Sequence, residues 1–99
     1  MPKVTVKFFG IYSKIAGLKQ AEINIPEDIT LHNLLLILKE RFNEEIYKRI
    51  VDGEKMKIKR TVVVFIDGKN AASLSGLKSK VKGGSVVAFL PPGVGGLKK

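Results

Sequence analysis

One amphipathic helix, predicted between residues 31 and 42, limits what this chain can fold into. Its apolar side chains recur at helical spacing and share one face: Leu31, Leu34, Leu35, Leu38 and Phe42. Thr30 can cap this helix through its hydroxyl group, and Glu27 and Asp28 add favourable charge near the helix N-terminus. Leu36 and Ile37 widen the apolar face, which is expected of a helix that lies over a sheet.

Strand-like stretches stand on both sides of this helix. Residues 4–8 and 21–25 alternate apolar and polar side chains with a period of two, and the short link between them favours an antiparallel hairpin. After the helix, residues 62–66 and 86–90 are continuously apolar. The first run is typical of a strand buried substantially on both faces, and the second indicates a buried strand. The Asp67-Gly68 pair between these runs is a strong turn signal.

The order of these stretches predicts an α+β roll: a mixed sheet of four to five strands with one main helix packed across one face. The first and last strands are expected to be parallel neighbours in the centre of the sheet. Short helical segments are predicted at 11–17 and 46–51, and residues 54–60 resemble an exposed loop or the approach to a strand. A single domain is predicted over 1–90, with a flexible C-terminal tail over 91–99.

Composition narrows the functional classes. The 99 residues carry a formal net charge of +9, which attracts polyanions and acidic protein surfaces. The chain has no cysteine, which excludes disulfides and a cysteine nucleophile. No apolar stretch approaches the roughly 20 residues of a membrane helix, and no signal peptide is visible, so we expect a cytoplasmic protein without membrane contact.

Residues suited to catalysis are scarce. His32, the single histidine, falls in the first turn of the predicted helix, where a solvent-facing or helix-end role is expected. The carboxylates form no dyad, and no metal-ligand spacing occurs. Gly83-Gly84 lacks the Lys-Ser/Thr that follows the glycines of a phosphate loop. The sequence therefore predicts a protein that is not an enzyme, with neither catalytic residues nor a metal.

Two basic segments, 55–60 and 78–82, favour a solvated face. A phosphate-binding surface is the alternative, but the aromatic residues fall at core-like positions and are not interleaved with these lysines. Specific nucleic-acid binding is therefore disfavoured, and an acidic protein partner is the intermediate interpretation.

The C-terminal stretch Pro91-Pro92-Gly93-Val94-Gly95-Gly96 cannot form a helix or an interior strand. Its prolines lack N–H donors, and its glycines leave the chain almost bare of side chains. A narrow tail that enters a confined site on another protein is one interpretation. An ordinary frayed terminus is the other.

Three stretches resemble a known family: residues 4–10, 30–35 and 65–96. The third is the most distinctive, because an apolar strand, Pro91-Pro92 and Gly95-Gly96 follow one another in that order. The chain resembles the MoaD/ThiS family of ubiquitin-like sulfur carriers, which includes archaeal small ubiquitin-like modifier proteins. The resemblance covers residues 3–96 and implies a β-grasp (ubiquitin-like) fold. This sequence departs from the family pattern at Gly84-Ser85, where the family often has an aspartate at the start of the final strand. We interpret this difference as a variant of the turn.

The resemblance implies that the carboxylate of Gly96, reached through Gly95, is the reactive group. An E1-like adenylating enzyme using ATP and Mg would convert it to an acyl-adenylate, while the carrier itself binds no cofactor. Sulfide would then give a thiocarboxylate, or a lysine would give an isopeptide bond. The implied partners beyond the E1-like enzyme are the large subunit of molybdopterin synthase and lysines of target proteins. A Gly-Gly end suits this chemistry because it has no Cβ to clash inside a narrow channel leading to the ATP of the activating enzyme.

The resemblance also implies a partner-docking surface at Phe9, Leu90, Pro91 and Pro92. The residue pattern agrees for Phe9, which interrupts an otherwise polar strand face. The alternative is that Phe9 covers a loop.

Leu97-Lys98-Lys99 follows Gly96, so the Gly96 carboxylate is held in an amide bond with Leu97. Proteolytic processing at this bond is our hypothesis. A peculiarity of the sequence and a loss of carrier activity are the competing explanations. The alternative function is a non-catalytic β-grasp module that binds RNA or an acidic protein through its basic surface.

Overall fold

The computed structural model describes residues 2–92 and shows the predicted order of elements. The strands are β1 (Lys3–Phe8), β2 (Gln20–Asn24), β3 (Ile29–Thr30), β4 (Val51–Asp52), β5 (Lys57–Ile58), β6 (Val63–Ile66), β7 (Lys69–Asn70), β8 (Lys80–Val81) and β9 (Val86–Leu90). The helices are α1 (Ile11–Ala16), α2 (Leu31–Arg41) and α3 (Glu44–Ile50), and two 3₁₀ turns lie at Ala71–Ser73 and Gly76–Lys78.

The main sheet has five strands in the order β2-β1-β9-β6-β7. β1 and β9 are parallel neighbours, with Val6 opposite Val87, while the other pairs in this sheet are antiparallel. The predicted central, parallel placement of the first and last strands is therefore confirmed. Two short antiparallel pairs, β3 with β8 and β4 with β5, lie outside this sheet.

The core lies between one face of the sheet and α2. Leu31, Leu34, Leu35 and Leu38 of α2 are fully buried, as the helical spacing predicts. Burying each such side chain contributes on the order of 1.5–3 kcal/mol relative to leaving it exposed. No helix within the described residues is both long enough and apolar enough to cross a membrane.

Thr30 caps α2 as predicted. Its hydroxyl oxygen accepts a hydrogen bond from the N–H of Asn33 at 3.1 Å. The Asn33 side-chain oxygen accepts one from the N–H of Thr30 at 3.3 Å, which completes a reciprocal capping box. The start of α2 is thereby fixed against the end of β3.

The two apolar runs are covered on one face only. In β6, Val64 and Ile66 are buried, whereas Val63 and Phe65 are only half-buried. β9 repeats this alternation. The predicted burial on both faces is therefore complete only on the face towards α2, and the outer face of β6 and β9 is apolar but only half-buried. Residues 54–60 contain a short strand, β5, where an exposed loop or the approach to a strand was expected.

Candidate functional site

The predicted site divides at the end of the described residues. Phe9, Leu90, Pro91 and Pro92 lie within them. Gly95, Gly96 and Leu97, the proposed reactive and processing residues, lie outside. The geometry therefore concerns the base of the tail and the surface around it.

The base of the tail is attached to the most central part of the fold. β9 lies between β1 and β6, and the N–H of Phe9 donates to the carbonyl oxygen of Phe89 at 3.0 Å. The buried ring of Phe89 packs on Phe8, with ring centroids 5.9 Å apart, so neighbouring strands are tied together beneath the surface. The point where the chain leaves the sheet is therefore held by both backbone and core contacts.

Gly10 brings the first strand close to the tail. Its backbone has a φ of 58°, which side chains rarely adopt. A Cβ at this position would lie 3.0 Å from Cγ and 3.2 Å from Cδ of Pro91, so the proline ring occupies the space that a side chain would need. Gly10 and Pro91 thus fix the direction in which the chain leaves β9.

An apolar surface surrounds this point, formed by Phe9, Leu90, Pro91 and Pro92, and we call it the docking surface after its predicted role. Phe9 is 44% exposed, and Leu90 is half-buried. Because Phe8 pairs with Phe89, Phe9 and Leu90 lie side by side at the end of the two strands. The structure therefore brings the predicted docking residues together. Ile11, 39% exposed, follows Gly10 at the start of α1.

The docking surface continues along the outer face of the sheet. Val63 pairs with Leu90, and Phe65 pairs with Ala88, so these half-buried side chains extend the apolar area towards β6. Sequence reasoning missed them because every residue of these runs is apolar, which hides the alternation of faces. No signal within these runs shows which of the two faces α2 covers.

Positive charge borders the docking surface. A shallow cavity of about 410 Å³ lies beside Phe9, and Lys7 and Lys19 are among its lining residues. No carboxylate of the described part of the chain lines this cavity. The surface therefore suits a partner that offers apolar side chains with acidic residues beside them.

Asp67 fixes the beginning of the strand that carries the tail. Its carboxylate accepts a hydrogen bond from the N–H of Val86 at 2.9 Å and another from the hydroxyl of Ser85 at 3.0 Å. This carboxylate comes from the β6–β7 turn, so an acidic group reaches the start of the last strand although Gly84-Ser85 carries none.

The titratable residues elsewhere have structural roles. His32 is half-buried at the beginning of α2, and its Nε2 lies 2.8 Å from the hydroxyl of Tyr47 on α3. The helix-end position is as expected, but the side chain joins two helices and does not simply face solvent. Burial raises the pKa of Tyr12, while the nearby Arg49 acts in the opposite direction. Within residues 2–92, no cluster of three or more metal-ligating side chains is found.

Known proteins resemble this chain in sequence and in fold. Small archaeal modifier protein 3 from Haloferax volcanii is 26% identical over 94 residues, which cover 95% of this chain and 99% of that protein. A chain in the crystal structure of the BexX/CysO complex from Amycolatopsis orientalis superposes with a TM-score of 0.76 at 26% identity, covering 89% of this chain and 93% of its own length. SAMP1 from Haloferax volcanii shares the fold, with a TM-score of 0.74 at 21% identity, over 95% of this chain and 99% of its own.

The model of the ThiS family matches residues 6–96, which is nearly the whole chain. The match includes the docking surface, the central strands and the Gly95-Gly96 pair. The chain therefore belongs to the ThiS family and is a ubiquitin-like β-grasp protein of the sulfur-carrier and modifier class.

Proposed function

We propose that this protein works through the C-terminal carboxylate of Gly96, after the Gly96–Leu97 bond has been cut. The observation that carries the proposal is the extent of the family match, which runs through Gly96 and stops there. Leu97-Lys98-Lys99 lies beyond the match. Hydrolysis of this one peptide bond would give the chain the Gly-Gly end that the chemistry requires.

The activation chemistry belongs to an E1-like partner with ATP and Mg. A Gly96 carboxylate oxygen attacks the α-phosphorus of ATP and pyrophosphate leaves, which gives an acyl-adenylate. Hydrosulfide then attacks the carbonyl carbon and AMP leaves, which gives a thiocarboxylate. A lysine amine at the same carbon gives an isopeptide bond instead. This chain contributes the carboxylate and its presentation, and its partners supply the catalytic residues.

The docking surface supports this division of labour. Phe9 and Leu90 offer apolar area directly beside the residue where the tail begins, so a partner that binds there also receives the tail. Lys7 and Lys19 border the same surface and favour an acidic counterpart. We propose that the E1-like enzyme binds here, and that the large subunit of a molybdopterin synthase or a modified target is a later partner.

Intact-mass analysis of the protein from its native cells tests the proposal. We expect a species that ends at Gly96, and a fraction of it with sulfur in place of one carboxylate oxygen. Gly-Gly remnants on lysines of other proteins would identify modification as the second outcome of the same activation. A population that wholly retains Leu97-Lys98-Lys99, with neither truncated nor conjugated species, would contradict both roles.

Exchange of labelled pyrophosphate into ATP, catalysed by the E1-like enzyme of the same cells, tests the activation step alone. A chain ending at Gly96 is expected to support exchange, and the 99-residue chain is not. A chain ending at Leu97 is the matched control, because it has a free carboxylate on the wrong residue. Equal exchange with all three chains would show that the Gly96 end is not what is recognised.

A further inference from the structure

A second concave surface lies between the β4–β5 hairpin and the two 3₁₀ turns, and we call it the side groove. Its volume is about 360 Å³, and its main lining residues are Met56, Lys57, Ile58, Ala72, Leu77 and Lys78. None of these residues belongs to the docking surface beside the tail. The Gly96 chemistry leaves this groove without a role.

Apolar side chains form one wall of the side groove. Ile58 is half-buried and Leu77 is buried, while Met56 is 49% exposed. Met56 is one of four conspicuously exposed large hydrophobic side chains among the described residues, and it alone of the four lines this groove; the others are Phe9, Ile11 and Leu74. An exposed apolar side chain in a concavity with an apolar wall is typical of an interaction site.

The backbone holds Met56 in this position at a cost in free energy. Met56 has a φ of 52°, in the left-handed region that residues other than glycine rarely adopt. The preceding turn is fixed by the carboxylate of Asp52, which accepts hydrogen bonds from the N–H groups of Glu54 at 3.1 Å and Lys55 at 3.2 Å. A strained residue that displays an apolar side chain at a groove is a candidate for function.

The charge of the side groove is positive. Lys57 and Lys78 come from distant parts of the sequence and both line it. No carboxylate among residues 2–92 lines the groove, although Asp52 is the cross-strand partner of Lys57 in the β4–β5 hairpin. Within residues 2–92, the two ion pairs present are Lys3–Glu22 and Arg49–Glu45, so neither groove lysine is neutralised by an ion pair there. The groove therefore complements a ligand that combines an apolar side chain with carboxylates.

We propose that the side groove is a second docking site, which binds a short acidic segment of a partner protein. An apolar side chain of that segment lies against Met56, Ile58 and Leu77, and flanking carboxylates pair with Lys57 and Lys78. A nucleic acid would match the lysines but would leave the apolar wall without a partner, because the described residues that line the groove include no aromatic side chain to stack on a base. The site is independent of the Gly96 end.

A fluorescent octapeptide with a central Leu-Ile pair flanked by three aspartates on each side is a suitable probe. Binding to the full 99-residue chain is measured by fluorescence polarisation and mapped by amide chemical-shift changes. We expect saturable binding, with the largest shifts at residues 56–58 and 72–78. A peptide with lysines in place of its acids, and one with serines in place of Leu-Ile, are both expected to bind at least about tenfold more weakly.

Variants of the chain locate the site. Lys57→Glu with Lys78→Glu should weaken peptide binding at least about tenfold, whereas Lys82→Glu, an equivalent change of an exposed lysine outside the groove, should have little effect. Met56→Asn should weaken binding by about threefold or more, because it removes the apolar contact while its side chain tolerates the same backbone angle. Amide spectra of each variant, recorded without peptide, report whether the fold is retained.

Three results would overturn the proposal. The first is an absence of saturable binding by the acidic peptide. The second is a set of shifts centred on Phe9 and Leu90, which would assign the peptide to the docking surface. The third is tighter binding of a single-stranded RNA oligonucleotide at the same residues, with no dependence on Met56, which would make the side groove a phosphate-binding surface.

Discussion

The docking surface and the side groove both expose apolar residues beside lysines, but different parts of the fold support them. The docking surface lies at the ends of β1 and β9, neighbouring strands of six and five residues in the centre of the sheet. The side groove is built from a strand of two residues, a turn with a strained methionine and two 3₁₀ turns. One surface is supported by a continuous ladder of hydrogen bonds, and the other by short local contacts.

This difference suits the two proposed tasks. A tail whose last carboxylate must reach a reactive atom requires a fixed starting point, because small misplacements reduce the rate of a positioned reaction. A groove that binds a peptide segment tolerates local adjustment, and low local stability is common in such elements. We therefore expect mutations of equal size to have larger effects on stability beneath the docking surface than around the side groove.

The largest expected effect comes from shortening a buried side chain below the docking surface. Phe89 is fully buried and packs on Phe8, so Phe89→Ala should lower the free energy of unfolding by about 3–5 kcal/mol. Ile58 is half-buried at the side groove, so Ile58→Ala should lower the free energy of unfolding by less than about 2 kcal/mol. Urea denaturation measures both. Equal losses would remove the proposed difference between the two regions.

The close contact between Gly10 and Pro91 gives the next effect. Gly10→Ala should lower the free energy of unfolding by about 2–3 kcal/mol, since it combines an unfavourable positive φ with a clash against the proline ring. Gly17→Ala is the control, because Gly17 has a φ of 83° with open space around its Cβ position, and about 1 kcal/mol is expected there. Adding Pro91→Ala to Gly10→Ala should recover part of the loss.

The same variants connect stability to function. In a chain ending at Gly96, Gly10→Ala should also reduce pyrophosphate exchange, because the displaced proline redirects the tail. Gly17→Ala should leave exchange close to that of the parent chain. Equal reduction by both variants would indicate that exchange follows global stability and not the direction of the tail.

A substitution at the side groove should act in the opposite direction. Met56→Asn relieves a positive φ that asparagine tolerates better, so the free energy of unfolding should rise by about 0.5–1 kcal/mol. Leu74→Asn makes the same apolar-to-amide change at an exposed residue whose φ is −98°, so no such gain is expected. Thermal and urea denaturation provide the measurement. Stabilisation by both variants would point to reduced surface hydrophobicity and not to relief of strain.

The elements of this fold could be predicted where one periodicity dominated. The leucines of α2 have a single interpretation, and the alternation in β1 and β2 identified both the hairpin and its buried face. β6 and β9 were found as strands, but their outer face is only half-buried. When both faces of a strand are apolar, the sequence contains no parity signal to show which face the helix covers.

The candidate site was predictable only in part, for a related reason. Phe9 interrupts a polar strand face and so could be identified, and the structure puts it beside Leu90 and Pro91. The side groove could not be found, because it brings Lys57 together with Lys78 across 20 intervening residues of irregular and short structure. Sequence spacing predicts proximity along a helix or strand, but not across turns of this kind.

A further expected effect, of about the same size, concerns a contact that links α1 to the residues before β6. The hydroxyl of Tyr12, in the helix beside the docking surface, donates to the carbonyl oxygen of Thr61 at 2.8 Å, just before β6. Tyr12→Phe should cost about 1 kcal/mol at neutral pH. Because burial raises the pKa of Tyr12 in the folded protein, its contribution is fully present below the unfolded pKa of about 10 and is lost as pH rises through the folded value. Urea denaturation of both proteins at pH 7 and above pH 10 should therefore show the difference between them shrinking. A difference that stays constant would mean that Tyr12 ionises equally in both states, and that the link between the two regions does not depend on its buried hydroxyl.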